Sequence, residues 1–370
     1  MTRQRISALT SLRFFAAALI VFDHATADRH GWIREIPYYQ GVTFFFVLSG
    51  FILTYSYPVL PEKKDVLNFW LARFARIWPA YFVSLVWAIV LVPGWLTILA
   101  TPYGAFRALL STAALQAWIP QMDYFFYPNA VGWSLSVEAF FYLLFPFLIR
   151  ELKTGRYWML LLCCIPTCLV LVTATASNLV LYAKSTTDVD IDGLVYIFPL
   201  TRLPEFMIGM VAALSLRQPA DRRSRPVIAT FIEVMAVAAV LAQYLLTPTW
   251  YETGPLSHVF PASICLWLER SGSAPLYALL ISVIAREQGI LSRLLRFRPL
   301  VLGGEISYAL YLLHQPLIWW IWAHADLFGA IPQFVRKVLF TVTILLISYI
   351  VCVAIERPAR RRIIRLFHIK

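Results

Sequence analysis

Apolar residues run along this chain in long unbroken blocks, not in the alternation of a strand or the one-sided stripe of a water-facing helix. Ten blocks stand out, at about 8–27, 38–57, 78–99, 132–149, 157–177, 194–215, 227–246, 273–288, 300–323 and 338–356. Each is close to the roughly 20 residues a helix needs to cross a bilayer. The pattern predicts an all-α polytopic membrane bundle of about ten transmembrane helices, forming one integral-membrane domain over residues 1–370. An eleventh block, about 104–119, is shorter and weaker. It is expected to form an outer-surface or re-entrant helix, because a full crossing there would invert every later loop.

Composition agrees. The chain is 60% hydrophobic and 14% charged, against about 25% charged in a typical soluble domain. Its mean hydropathy is +0.70. The basic N-terminus precedes an apolar run with no small-residue cleavage site, so that run reads as a permanent first span and not as a cleaved signal. The five cysteines lie in or beside apolar stretches without a pairing pattern. Neither a disulfide framework nor a metal site is expected.

A net charge of +12 raises the possibility of nucleic acid binding, but the placement of the cations argues for topology instead. With the N-terminus in the cytoplasm and ten spans, 23 of the 32 Lys and Arg residues fall in cytoplasmic segments. These include Arg3 and Arg5, the group Arg217, Arg222, Arg223 and Arg225, and the RPARRRIIRLFHIK tail. That is the positive-inside asymmetry, with some of the charge placed against anionic lipid headgroups. No nucleic acid partner is expected, and both termini are expected in the cytoplasm. Asp188, Asp190 and Asp192, in the outer segment 178–193, read as solvated acidic surface.

Ionisable residues at membrane depth are costly and mark candidate functional sites. Arg13 and His24 are eleven residues apart in the first block. Eleven residues make three turns, so both share one helix face, roughly 16 Å apart along the axis. Taken singly, Arg13 could snorkel to headgroups and His24 could bond a neighbouring helix. On one face they offer a fixed cation at one end and a titratable imidazole at the other. Ser49 and Gly50 form a small pair that lets a backbone or a ligand approach closely. Arg73 and Arg76, ahead of Pro79 in FWLARFARIWPAY, suit phosphate binding or a plain positive-inside anchor.

Further along, WSLSVE (133–138) puts Glu138 one to two turns inside the membrane, where a carboxylate needs a partner. Arg202 and Glu205, three apart, can pair with each other, and Pro204 between them is expected to kink or free the backbone. Ser307, Tyr311 and His314 recur on one helix face, and Pro316 is expected to break the helix just after. Glu356 reads as an ion-pair partner for nearby arginines. Together these residues point to a water-accessible cavity within the bundle. His24 is the best general base among them, because imidazole titrates near neutrality, with Asp23, Glu138 or a tyrosine to tune it. There is no Gly-x-Ser-x-Gly elbow, phosphate loop, His-Glu-x-x-His or paired-Cys motif, so serine hydrolase, P-loop and zinc chemistries have no support.

The motif set resembles the acyltransferase 3 family of multispan membrane O-acyltransferases. That family is marked by Arg or Lys, ten residues, then His in the first span, here Arg13 and His24. LSGF (48–51), ARFARIWPAY (72–81), WSLSVE (133–138), RLPEFMIG (202–209), ISYALYLLHQP (306–316) and ERP (356–358) follow in family order. The resemblance implies a ten-span bundle acting without the family's fused periplasmic esterase-like domain, either alone, as a homodimer or with an esterase-like partner in trans. It implies an acyl-CoA co-substrate, acetyl-CoA first, and a hydroxyl acceptor on a glycan or glycolipid. Under it, Arg13, Arg73, Arg76 and Ser49 bind the donor, and His24 acts as base or transient acyl carrier. Asp23 and Glu138 assist, while Trp133, Ser134, Arg202, Glu205, Tyr308, Tyr311 and His314 build the substrate cavity.

Two other readings use the same buried residues. A transporter or flippase for a lipid-linked sugar would move its substrate without consuming acyl-CoA. A receptor or scaffold would use the buried polar pairs for structure alone.

Overall fold

The computed structural model describes residues 6–26, 39–156, 158–216, 226–251 and 254–367. Arg3, Arg5, Arg217, Arg222, Arg223 and Arg225, assigned to cytoplasmic segments above, lie outside the described residues. Within them the chain is helical, with no strand beyond one isolated bridge between Gln121 and Val189. The helices are α1 (Ser7–Ala25), α2 (Gln40–Ser56), α3 (Lys63–Leu91), α4 (Trp95–Leu99), α5 (Pro102–Thr112), α6 (Met122–Phe125), α7 (Trp133–Lys153) and α8 (Trp158–Ala176). They continue with α9 (Leu203–Ser215), α10 (Pro226–Tyr251), α11 (Ala262–Ser271), α12 (Ala274–Ile284), α13 (Ile290–Leu295), α14 (Arg298–Ala323), α15 (Gln333–Val351) and α16 (Arg357–Leu366).

Six helical stretches among the described residues are long and apolar enough to cross a membrane: α1, α3, α7, α8, α10 and the run Gln333–Leu366. The remaining expected spans depart from that form for local reasons. Helix α2 is apolar but has 17 residues. The block 194–215 is broken into a π-turn (Asp192–Ile197), a 3-10 turn (Pro199–Arg202) and the 13-residue α9. Pro204 does not kink a helix there. It sits in the first turn of α9, where its missing N–H costs no internal bond. Helix α14 has 26 residues, but Glu305, His314 and Gln315 dilute its hydropathy. Helices α5 and α12, at 11 residues each, are too short to cross alone, so the expected span 273–288 is not one continuous membrane helix.

Proline positions show how the bundle satisfies its backbone. Pro316 was expected to end its helix, yet α14 runs through it to Ala323. A proline frees the carbonyl four residues earlier, here that of Leu312, and the buried Asn129 side chain donates to it at 2.8 Å. Likewise Pro146 lies inside α7 and frees the carbonyl of Tyr142, which accepts from the Trp70 indole at 3.0 Å. Pro79 is also inside a continuous helix, so Arg73 and Arg76 sit on the same rod as the following span and not on a separate interfacial helix.

Helix α1 is pinned near its start. The Ala8 N–H donates to Glu287 at 3.1 Å, and Ser11 donates to the Leu295 carbonyl at 2.5 Å. It lies against α14 in the same direction, with Thr10 beside Gly304 and His24 beside His314. That is the relation expected of a first and a ninth span. A Cβ at Gly304 would collide with the Thr10 carbonyl, so glycine is what lets these helices touch. Gly50 of α2 meets the Phe206 carbonyl of α9 in the same way. The small pair noted in the sequence therefore serves helix packing at Gly50.

Arg202 and Glu205 are wholly buried and ion-paired at 2.9 Å. Arg202 also donates to Ser271 at 2.8 Å and to Thr43 at 3.0 Å. Thr43 and Gln40 in turn donate to the last carbonyls of α11, at Arg270 and Glu269. The pair thus ties the broken span to α2 and α11.

Two stability outcomes follow. Gly304→Ala gains up to about 1 kcal/mol of helix propensity, but the clash is with rigid backbone. Overpacking of this kind costs about 1–3 kcal/mol, so the thermal midpoint in detergent should fall. Arg202→Met or Glu205→Leu alone leaves a buried charge unpaired, at about 3–5 kcal/mol. The double variant should be more stable than either single one in the same thermal assay; a double variant less stable than both would overturn the assignment.

Candidate active site

Three cavities adjoin one another along the α1–α14 seam. The central one, of about 200 Å³, is lined by Arg13, Ser49, Arg73, Arg76, Glu138 and Tyr308, with Ser134, Tyr142, Ser307 and Tyr311. A second, of about 520 Å³, shares Arg13, Leu48, Ile52 and Arg76 with it. The third, of about 490 Å³, holds Asp23, His24 and Trp133 and shares Val42 and Tyr311 with the centre. Arg13 and His24 therefore face different cavities of one series, as residues three turns apart on a single face can.

His24 is oriented by a residue 290 positions away. Its Nδ1 lies 2.9 Å from Nε2 of His314, and the rings stack with centroids 5.1 Å apart. His314 is fully buried, and its Nδ1 lies 3.3 Å from the Leu310 carbonyl. A carbonyl only accepts, so His314 Nδ1 carries a proton. With both rings neutral, His314 Nε2 then accepts from His24 Nδ1–H. That leaves the lone pair of His24 on Nε2, 4.0 Å from the Asp23 carboxylate. Pro316 and Asn129 fix the turn of α14 that carries His314.

In the central cavity Glu138, Arg73 and Arg76 each have a protein partner. Glu138 accepts from the Tyr142 hydroxyl and, at 3.5 Å, from Ser49. Arg73 donates to the Tyr57 hydroxyl at 2.9 Å, with its guanidinium over the Tyr57 ring. Arg76 pairs with the buried Glu356, as expected for that carboxylate. Ser134 and Tyr311 share a 2.8 Å hydrogen bond on the wall towards the third cavity, and Tyr308 donates to the Ile77 carbonyl at 3.0 Å.

Arg202 and Glu205 line none of the three cavities. They stand behind the wall, with the Arg202 guanidinium over the rings of Phe46 and Tyr196 at 5.3 and 4.8 Å. Phe46 faces the central cavity and Tyr196 the third.

The third cavity also holds residues with no signal in the sequence: Tyr39, Arg270, Gln315, Trp319 and Trp322. Asp192 lines it too, 3.9 Å from Arg270, and Arg270 lies over the Tyr39 ring. Burial pushes the Asp192 carboxyl up to about 6, with Arg270 pulling the other way. Asp190 is buried and accepts from the backbone of Ala183 and Gly193. The reading of the acidic segment as solvated surface is therefore corrected for Asp190 and Asp192, because local backbone donors and an arginine from α11 enclose them. Asp188 remains exposed.

Comparison with known proteins fits this geometry. A family model for the acyltransferase 3 family, described as an acyltransferase domain, matches residues 6–357. The chain is 29% identical over 334 residues to acyltransferase MdmB of Streptomyces mycarofaciens, covering 85% of this chain and 79% of that protein. It is 25% identical to the O-acetyltransferase OatA of Staphylococcus aureus (strain NCTC 8325 / PS 47), covering 96% of this chain and 57% of the relative. To the peptidoglycan O-acetyltransferase OatA of Listeria monocytogenes it is 26% identical, covering 86% of this chain and 50% of the relative. The chain thus spans about half the length of the OatA proteins it matches. No solved structure matches. With a match running almost end to end over a helical bundle that carries the Arg13–His24 rod, the chain belongs to the acyltransferase 3 family and is an acyltransferase.

Proposed function

We propose that this membrane acyltransferase moves an acyl group, acetyl in the first instance, from acyl-CoA to a hydroxyl of an extracytoplasmic or lipid-linked carbohydrate. The bundle crosses a bacterial inner membrane ten times with both ends in the cytoplasm. The loop charges and the parallel course of α1 and α14 support that topology. The donor enters from the Arg13 side, where Arg13, Arg73 and Arg76 hold its anionic groups, and Ser49 lies beside its arm. The acceptor enters the His24 cavity, walled by Trp133 and neighbouring aromatic rings.

The observation that carries the reading is the oriented imidazole. His24 Nε2 takes the proton of the acceptor hydroxyl as its oxygen bonds to the thioester carbonyl carbon. The carbon–sulfur bond then breaks, and the proton passes to the departing CoA thiolate. Asp23 stabilises the imidazolium that forms meanwhile. His314 acts through His24 by holding its tautomer. Glu138, with Tyr142 and Ser49, orients the chain between the two ends, and Tyr311 with Ser134 stands at the passage between the cavities. A glycan acceptor for acetyl accords with the peptidoglycan O-acetyltransferase named among the relatives.

The test is transfer by the purified, full chain from radiolabelled acetyl-CoA, with surface glycans of wild-type and deletion cells compared by mass spectrometry. A shift of one acyl mass identifies the acceptor; substrate movement with no acetyl-CoA consumed would point to transport instead. His24→Ala should lose at least about 100-fold in transfer while eluting as a folded protein on size exclusion. His314→Ala should lose roughly 10- to 100-fold in kcat with KM little changed, as for a group that orients a base. His314→Gln, whose amide oxygen can accept the same bond, should recover part of it. Full transfer by His24→Ala would remove the assignment.

A further inference from the structure

The second cavity has an outer wall that the proposed chemistry leaves unexplained. Arg357, Arg360 and Arg361 of α16 line it together with Arg13 and Arg76. Among the described residues that line it, the carboxylates are Glu356, paired with Arg76, and Glu305, at 2.5 Å from Arg357. Gathering like charge in a partly enclosed space raises a positive potential that a polyanion relieves. The guanidinium fork matches phosphate oxygens better than any other side chain.

The sequence explains the wall. In RPARRRIIRL, positions 357, 360 and 361 are i, i+3 and i+4, so they share one helix face. Arg362 and Arg365 of the same helix do not line the cavity. The family match ends at residue 357, so Arg360 and Arg361 lie beyond it. The cavity adjoins the central one at Arg13 and Arg76, and from Arg13 the α1 rod leads roughly 16 Å to His24.

We infer that Arg360 and Arg361 bind the nucleotide phosphates of the acyl-CoA donor at the mouth of this cavity, so that its pantetheine arm runs inward along α1. This rests on the donor reading above. Lipid headgroup phosphates share the same chemistry, and the test separates them from the donor.

In detergent, the full chain is assayed with acetyl-CoA and with S-acetyl-N-acetylcysteamine, a thioester without phosphate, and CoA binding is measured by titration calorimetry. The double substitution Arg360→Ala with Arg361→Ala should raise KM for acetyl-CoA, and Kd for CoA, by on the order of tenfold or more. Its kcat and its turnover of the short thioester should be unchanged. Arg362→Ala with Arg365→Ala, which removes equal charge from the same helix, should alter neither. CoA binding equal to wild type in the first variant overturns the inference while leaving the donor reading intact. So does an equal loss with both thioesters, or an equal effect of the second variant, since either marks a lipid or folding role. A wild-type chain that binds no CoA overturns both readings.

Discussion

Hydrocarbon offers a polar group nothing to bond with, so every donor, acceptor and charge at membrane depth must find its partner inside the protein. The rest of the molecule follows from this constraint. Where Pro316 and Pro146 break the internal ladder, Asn129 and Trp70 reach across to the freed carbonyls. Where α11 ends within the bundle, Gln40 and Thr43 take up its last carbonyls. Where the span before α9 breaks, a buried arginine and glutamate hold each other and the neighbouring hydroxyls. Each repair links elements distant in sequence, so the polar groups help specify the arrangement that the buried apolar core packs.

The same constraint collects the chemistry. Polar side chains that lipid rejects turn inward along the α1–α14 seam, and the space they line becomes a series of three adjoining cavities. Close approach at Gly304 brings the two helices near enough for His24 and His314 to share a proton position. The imidazole is thus held by a partner that is itself held, through the Leu310 carbonyl and through the Asn129 bond to the Leu312 carbonyl.

Much of this is legible in the sequence where a local rule applies. The apolar blocks announce a helical bundle, and a spacing of eleven puts Arg13 and His24 on one face. Arg73, Arg76, Ser49, Glu138, Ser134, Tyr308 and Tyr311 do surround one cavity. What stays hidden is pairing at long range. Nothing near His24 announces His314; the Tyr142 donor to Glu138, by contrast, lies one turn further along the same helix, within reach of a local rule. Proline rules mislead at Pro316 because they describe an isolated helix, whereas the missing bond is supplied from outside. Asp192 misleads for a related reason: a carboxylate in a polar loop reads as solvated until Arg270 and Tyr39 close over the same cavity.

Helix α14 has one more consequence, for biogenesis. It is among the longest helices described, yet Glu305, His314, Gln315 and Pro316 leave it outside the group whose length and composition alone suit a membrane crossing. Its natural partner, α1, emerges from the ribosome nearly three hundred residues earlier. The α1–α14 seam is therefore completed only when the late-made segment docks against the first-made one.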